Sequence, residues 1–283
     1  MDRLIYYNDR IIEAAEAAIS TTSPGLLYGW GVFTTLRIYR RGVFAFDRHW
    51  DRLARHAGQC SIKILQKQEE VKRQIEELIV LNSIDNGRAR ITVLKGDGGA
   101  WRLAQGRESD LLIFTAAESS PPARETAITI SPYRVLSHGR LAGIKRTAML
   151  ENLLALEEAR SRGFSEAVMV NERGEMVGGT AANLFWVEGG DLFTPSLATG
   201  CIAGITRGFV SEIARRNKIQ VVEGSFPVQR LLDAAEVFLS STAKEISPVI
   251  SFDIKEYNLR QARRTKLINR EFQKLIRSAR IKS

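Results

Sequence analysis

Apolar positions along this chain change their period several times, and each change marks an element. Leu4 to Tyr7 reads as a short strand, and Gly31 to Tyr39 is an apolar, β-branched run of the kind a half-buried strand accommodates. Arg40, Arg41 and Gly42 predict a hairpin turn into Val43 to Phe46. Asp47 is placed to cap a helix on which Trp50, Leu53, Ala54 and Ala57 share a face. A second helix over 67–81 turns Val71, Ile75, Leu78 and Ile79 inward, and strands at 89–94 and 110–115 complete an α+β unit over residues 1–117.

The stretch 118–124 holds Ser119, Ser120, Pro121 and Pro122, a composition that suits neither helix nor strand interior and reads as a linker. Beyond it, over 125–283, strands at 126–130, 167–170, 184–187 and 237–239 alternate with helices at 147–161 and 205–217. The expected architecture is therefore α+β or α/β in two domains. In the C-terminal stretch Ile268, Phe272, Leu275, Ile276 and Ala279 recur at helical spacing, which predicts a terminal amphipathic helix.

Charge changes this picture less than its total suggests. The net charge is +9, but the 30 residues from Ile254 onward contain ten Lys or Arg and two Glu, so the rest of the chain is nearly neutral. A cationic face on a docked helix explains this without nucleic acid or membrane as partner. No apolar run approaches the ~18 residues of a membrane span, and the opening MDRLIYYNDR lacks a signal-type core, so a cytoplasmic location is expected. Cys60 and Cys201 stand far apart without metal-site spacing, and His49, His56 and His138 are equally scattered. Neither a disulfide framework nor a metal is indicated, and the three histidines read as surface or structural residues.

Two kinds of group carry candidate chemistry. Lys145 follows Leu141, Ala142, Gly143 and Ile144, so it is either a strand-end lysine with its head in water or a partly desolvated amine. A neutral amine of the second kind attacks carbonyls. Phosphate binding, in turn, calls for backbone N–H groups, hydroxyls and an arginine. Three places supply them: Gly204-Ile205-Thr206-Arg207, a glycine turn opening a helix; Ser240-Ser241-Thr242 at a strand end; and Arg52 on the first helix.

In order along the chain, GVFTTLR (31–37), HWDRL (49–53), GIKRTAMLENLLALEEAR (143–160), NLFWVEGGDLFTPS (183–196), GITR (204–207) and FLSSTAKEISPV (238–249) resemble the class IV aminotransferase family, the fold-type IV pyridoxal phosphate enzymes. The likeness spans nearly the whole chain and implies the two-domain fold of D-amino acid aminotransferases. It implies that Lys145 holds pyridoxal 5'-phosphate as a Schiff base and later moves the proton at the substrate's α-carbon. Arg52 and the N–H groups of Ile205 and Thr206 after Gly204 would hold the cofactor phosphate, with the hydroxyl of Thr242 from the opposite side and Ser241 beside it. A small amino substrate and a homodimer are likewise implied. One position departs from the family: where a glutamate usually meets the pyridine nitrogen, the segment GEMVGGTAANLF (174–185) has Gly178, leaving Glu172 or Glu175 as possible stand-ins.

Within the family, Leu150 stands where branched-chain transaminases typically carry tyrosine, and GVFTTLR is similar to the strand of 4-amino-4-deoxychorismate lyases. That makes Thr34 or Thr35 a catalytic candidate, and strand alternation allows only one of them to face the cofactor. The expected reaction is the lyase type, in which aromatisation drives loss of pyruvate. The alternatives are transamination of a D- or branched-chain-like amino acid and a non-catalytic cofactor-binding role.

Overall fold

The computed structural model describes residues 3–96, 107–118 and 126–279. The expected linker over 118–124 therefore falls outside the described residues apart from Glu118. The chain divides into two compact units. Ile144–Ala148 lies with the first unit, although the sequence places it in the second.

The first unit contains β1 (Leu4–Tyr7), β2 (Arg10–Glu13), α1 (Pro24–Leu27), β3 (Gly31–Tyr39), β4 (Gly42–Val43), α2 (Phe46–Gln59), α3 (Gln68–Leu81), β5 (Gly87–Lys95) and β6 (Ser109–Ala117). Its six strands form one antiparallel sheet in the order β2-β1-β6-β5-β3-β4. The period of two in β3 sends Val32, Leu36 and Ile38 to one face. There they pack with Leu53 and Ala57 of α2 and with Val71, Ile75, Leu78 and Ile79 of α3. The other face carries Phe33, Thr35 and Arg37, paired in register with Thr92, Arg90 and Arg88 of β5.

Three local expectations differ from the structure. The hairpin's second strand stops at Val43, and Phe46 already opens α2. Ala45, in the left-handed region at φ 56°, is the N-cap of α2, while Asp47 sits in its first turn, where a carboxylate complements the helix dipole rather than capping. Ala54 is exposed; the buried stripe of α2 runs instead through Phe46, His49, Trp50, Arg52, Leu53, His56 and Ala57.

The second unit contains β7 (Thr126–Val135), α4 (Leu150–Ser161), β8 (Glu166–Asn171), β9 (Met176–Gly179), β10 (Asn183–Glu188), β11 (Asp191–Pro195), α5 (Ile205–Arg216), β12 (Val221–Gly224), α6 (Arg230–Asp233), β13 (Glu236–Ser241), β14 (Glu245–Phe252), β15 (Lys255–Glu256) and α7 (Arg263–Ala279). These strands make one mixed sheet in the order β12-β11-β10-β13-β14-β7-β8-β9, with β15 beside β14. Leu184, Trp186, Val237 and Leu239 lie in its core with Ile128, Val168 and Val249. The terminal helix α7 buries Ile268, Phe272 and Ile276, as its apolar stripe requires. The helix expected from 147 begins only at Leu150, because the preceding residues pair with β3. Phe33 N–H donates to the Lys145 carbonyl (3.1 Å) and Thr147 N–H to the Gly31 carbonyl (2.9 Å).

Candidate active site

The first unit gathers Lys145, Arg52, Thr34 and Thr35 around β3, but on its two faces. On the helix side, Thr34 is fully buried, its hydroxyl oxygen accepting from Arg52 Nη2 (3.0 Å) and lying 2.7 Å from His49 Nδ1. Burial, with Arg52 and Lys145 adding repulsion, pushes His49 down to about 3, so its imidazole is neutral and Nδ1 can accept a hydrogen bond from the threonine hydroxyl. Thr34 thus holds Arg52 in place. Burial and the neighbouring Arg55 bring Arg52 itself down to about 10, so it keeps its charge at neutral pH.

On the other side, the Lys145 amine lies 4.4 Å from the centroid of Phe33, the face that Thr35 shares. Burial is the main cause, and the charges of Arg52 and Arg90 add to it, in pushing this amine down to about 7. Above that pH it is a neutral nucleophile. Arg90 packs its guanidinium 3.6 Å from the same Phe33 ring and donates from Nε to Thr92 Oγ1 (3.1 Å). Its neighbours on this face, Arg37 and Arg88, both pair with Glu118, whereas Arg90 has no ion-pair partner among the described residues. The result is a cation beside an amine on a strand face, an arrangement that suits the carboxylate of an amino substrate.

His56, also buried on α2, accepts the Lys145 backbone N–H on Nδ1 (3.0 Å). His49, His56 and Arg90 were missed by sequence reasoning. The signal was present for the first two, since positions 49, 52, 53 and 56 follow helical spacing and place both imidazoles in the stripe of Leu53. Arg90 carried no comparable signal, because its neighbour across the sheet is set only by strand register.

In the second unit Gly204 caps α5, and Ile205 and Thr206 are its first residues, so their N–H groups have no partner within the helix. A Cβ on Gly204 would stand 2.0 Å from Asn183 Oδ1, which is why glycine occupies this turn. Asn183 in turn donates to the Ile202 carbonyl (2.8 Å) and pairs in register with Ser240. The Ser240 hydroxyl is buried without a hydrogen-bond partner. Ser241 Oγ accepts the Lys244 N–H (3.0 Å), which closes the turn that contains Thr242. Within the second unit, N–H groups at a helix start and an orphaned hydroxyl are donors of the kind a phosphate takes, and within the first unit a depressed amine is the nucleophile an aldehyde takes, so each set by itself fits pyridoxal phosphate.

Gly178 has φ 153°, and a Cβ there would lie 2.9 Å from the Ala182 carbonyl oxygen. Both expected stand-ins already have partners of their own. Glu172 is bound by the N–H and hydroxyl of Ser137, and Glu175 by Arg173 and Asn171. The buried carboxylate next to Gly179 is Glu166, held by Thr180 and by Lys244 (2.7 Å).

The two neutral imidazoles predict an acid-sensitive fold. Burial is again the leading cause in bringing His56 down to about 4. Each ring binds its proton more weakly when folded than when unfolded, where the value is near 6.5. Below pH 6.5 the unfolded chain therefore holds more protons, and stability falls until about pH 3 to 4. The slope is up to ~1.4 kcal/mol per pH unit per imidazole. Urea unfolding between pH 7 and 5 should show this loss, with a shallower slope in His49→Gln; equal slopes would contradict the assignment.

The class IV amino-transferase family model matches residues 31–252, and the chain belongs to that family. It is 33% identical over 261 residues to a Methanocaldococcus jannaschii protein provisionally named a branched-chain-amino-acid aminotransferase, covering 91% of this chain and 90% of the relative. To the aminodeoxychorismate lyase of Bacillus subtilis it is 28% identical, covering 97% and 95% of the two chains. Among solved structures, the Escherichia coli branched-chain amino acid aminotransferase superposes with a TM-score of 0.89 at 27% identity over 97% of this chain and 95% of that one. The fold-type IV architecture expected from the motifs is thus the one found. Its relatives are enzymes of more than one activity.

Proposed function

We propose that this chain is a pyridoxal phosphate-dependent enzyme of the lyase type, converting 4-amino-4-deoxychorismate to 4-aminobenzoate and pyruvate. The observation that carries the enzymatic reading is the Lys145 amine, brought to about 7 beside Arg90. Pyridoxal phosphate, when bound, supplies an electron-withdrawing ring that stabilises negative charge on carbon. Lys145 Nζ, uncharged above about pH 7, would attach it and afterwards take and return a substrate proton. Arg52, locked by Thr34, would hold the phosphate together with the N–H groups of Ile205 and Thr206, and Ser241 and Thr242 border the same group in this reading. Arg90 would orient a substrate carboxylate across the Phe33 ring, with Thr35 on that face as the catalytic hydroxyl, while Thr34 on the opposite face would serve the phosphate through Arg52.

The lyase is preferred over amino transfer because Gly178 offers no acid to the pyridine nitrogen, and a reaction driven by aromatisation depends less on that acid. Supplying one by Gly178→Glu would force a side chain against the Ala182 carbonyl, so the unaltered chain gives the better test. Incubation with 4-amino-4-deoxychorismate is expected to release 4-aminobenzoate and pyruvate in equal amounts. Amino acids alone are expected to leave no stoichiometric keto acid. Fast keto acid formation from D- or branched-chain amino acids without 4-aminobenzoate would establish a transaminase instead, and neither product would leave a cofactor-binding protein.

A homodimer fits the same reading. Leu26, Leu27, Tyr28 and Trp30 stand exposed within five residues of sequence, an apolar strip that a second copy would cover. No helix among the described residues is long and apolar enough to cross a membrane. The expected cytoplasmic location is consistent with that and remains part of the proposal.

A further inference from the structure

His56 is a buried group in contact with the lysine that the proposed chemistry leaves unused. It lies one turn beyond Arg52 on α2, and its Nδ1 accepts the Lys145 N–H at 3.0 Å. The Lys145 carbonyl accepts the Phe33 N–H at 3.1 Å. Both main-chain groups of the lysine are therefore fixed, one by a helix side chain and the other by a strand. Two residues on, the Thr147 N–H bonds instead to a backbone group, the Gly31 carbonyl. An imidazole can fill this place only while Nδ1 is unprotonated, which selects the neutral tautomer with its proton on Nε2. The charged groups that face it are Arg52 and Arg55 from α2 and Lys145 from the segment opposite. All three are basic, and together with burial they keep the acceptor available at neutral pH.

We infer that His56 is a positioning residue for Lys145: by accepting the lysine's backbone proton it fixes the point from which the side chain starts, and hence where the amine is presented. The inference rests on the reading of Lys145 as the reactive amine. A lysine side chain turns about four single bonds, so freedom at its Cα spreads the amine over many positions, and reactivity falls with the share of productive ones.

The test uses the full chain as wild type, His56→Asn and His56→Leu. Asparagine carries an amide oxygen near the place of Nδ1, whereas leucine has similar bulk and no acceptor. Two quantities are read on cofactor-free protein: the rate constant for uptake of pyridoxal phosphate, followed by visible absorbance, and the titration of Lys145 by competitive acetylation with peptide mapping. His56→Leu should slow uptake about tenfold or more, and His56→Asn should stay within about threefold of wild type. The Lys145 titration should move upward in His56→Leu alone, as the loosened amine reaches water. A merely structural role would lower the melting temperature and leave the titration where it was.

Wild-type uptake and titration in a folded His56→Leu would overturn the inference. Should that variant not fold, scalar coupling between Lys145 N–H and His56 Nδ1 in nitrogen-15-labelled wild type decides, and a protonated Nδ1 overturns it as well. Borohydride trapping of the wild type separates the two claims. An adduct on another lysine removes the reading of Lys145, whereas an adduct on Lys145 with an unaffected His56→Leu removes only the role of His56.

Discussion

Lys145→Ala is expected to give a folded, colourless protein that takes up no covalent pyridoxal phosphate and turns over about 10³-fold or more slowly. The size of the effect follows from the proposed double use of the amine, as the attachment point and as the group that moves the proton. Burial, Arg52 and Arg90 bring it to about 7, so a neutral amine is present at physiological pH without a separate base. Lys145→Arg is the informative companion, because guanidinium keeps the charge and cannot act as a nucleophile. Both variants should fail alike. Partial rescue of Lys145→Ala by a small primary amine would tie the loss to the missing Nζ, while wild-type turnover in either variant would remove the lysine from the chemistry.

Much of this was legible in the chain because period and position are local. The strand Gly31–Tyr39 appears with its expected bounds, and the inward residues of α3 are the four that helical spacing selects. Lys145 and Arg52 were singled out for another reason: each falls inside a family-like motif, GIKR and HWDRL, whereas an amine after an apolar run and an arginine on a helix are ordinary features when taken singly. What stayed hidden depends on contacts between distant segments. Nothing near residue 56 announces that its ring will meet the backbone of residue 145, and the delayed start of α4 follows from that same docking of Ile144–Ala148 onto β3. The alternation of β3 also settles which threonine faces which side, yet only the packing of α2 shows that Thr34 is committed to His49 and Arg52. Edge effects account for the short β4, since two left-handed residues, Arg40 and Arg41, turn the chain before Ala45 begins the helix.

Arg52→Ala is expected to weaken binding of pyridoxal phosphate about 100- to 1,000-fold, the equivalent of roughly 3 to 4 kcal/mol, because a buried phosphate left without its cation loses far more than an exposed ion pair would. Arg52 is held by Thr34, with His49 behind it, so its guanidinium is set in place before any ligand arrives and little ordering is needed on binding. Arg52→Lys keeps the charge without the planar fork and should recover only part of the affinity. Thr34→Val, which removes the hydroxyl that accepts from Nη2, should weaken binding by a smaller factor than Arg52→Ala. Equilibrium dialysis with pyridoxal phosphate and with pyridoxal separates the phosphate from the rest of the molecule. Arg52→Ala should erase the difference between the two ligands, leaving affinity for pyridoxal nearly unchanged. An equal loss for both would mean that Arg52 supports the fold around Lys145 rather than the phosphate, and no loss for either would place the phosphate elsewhere.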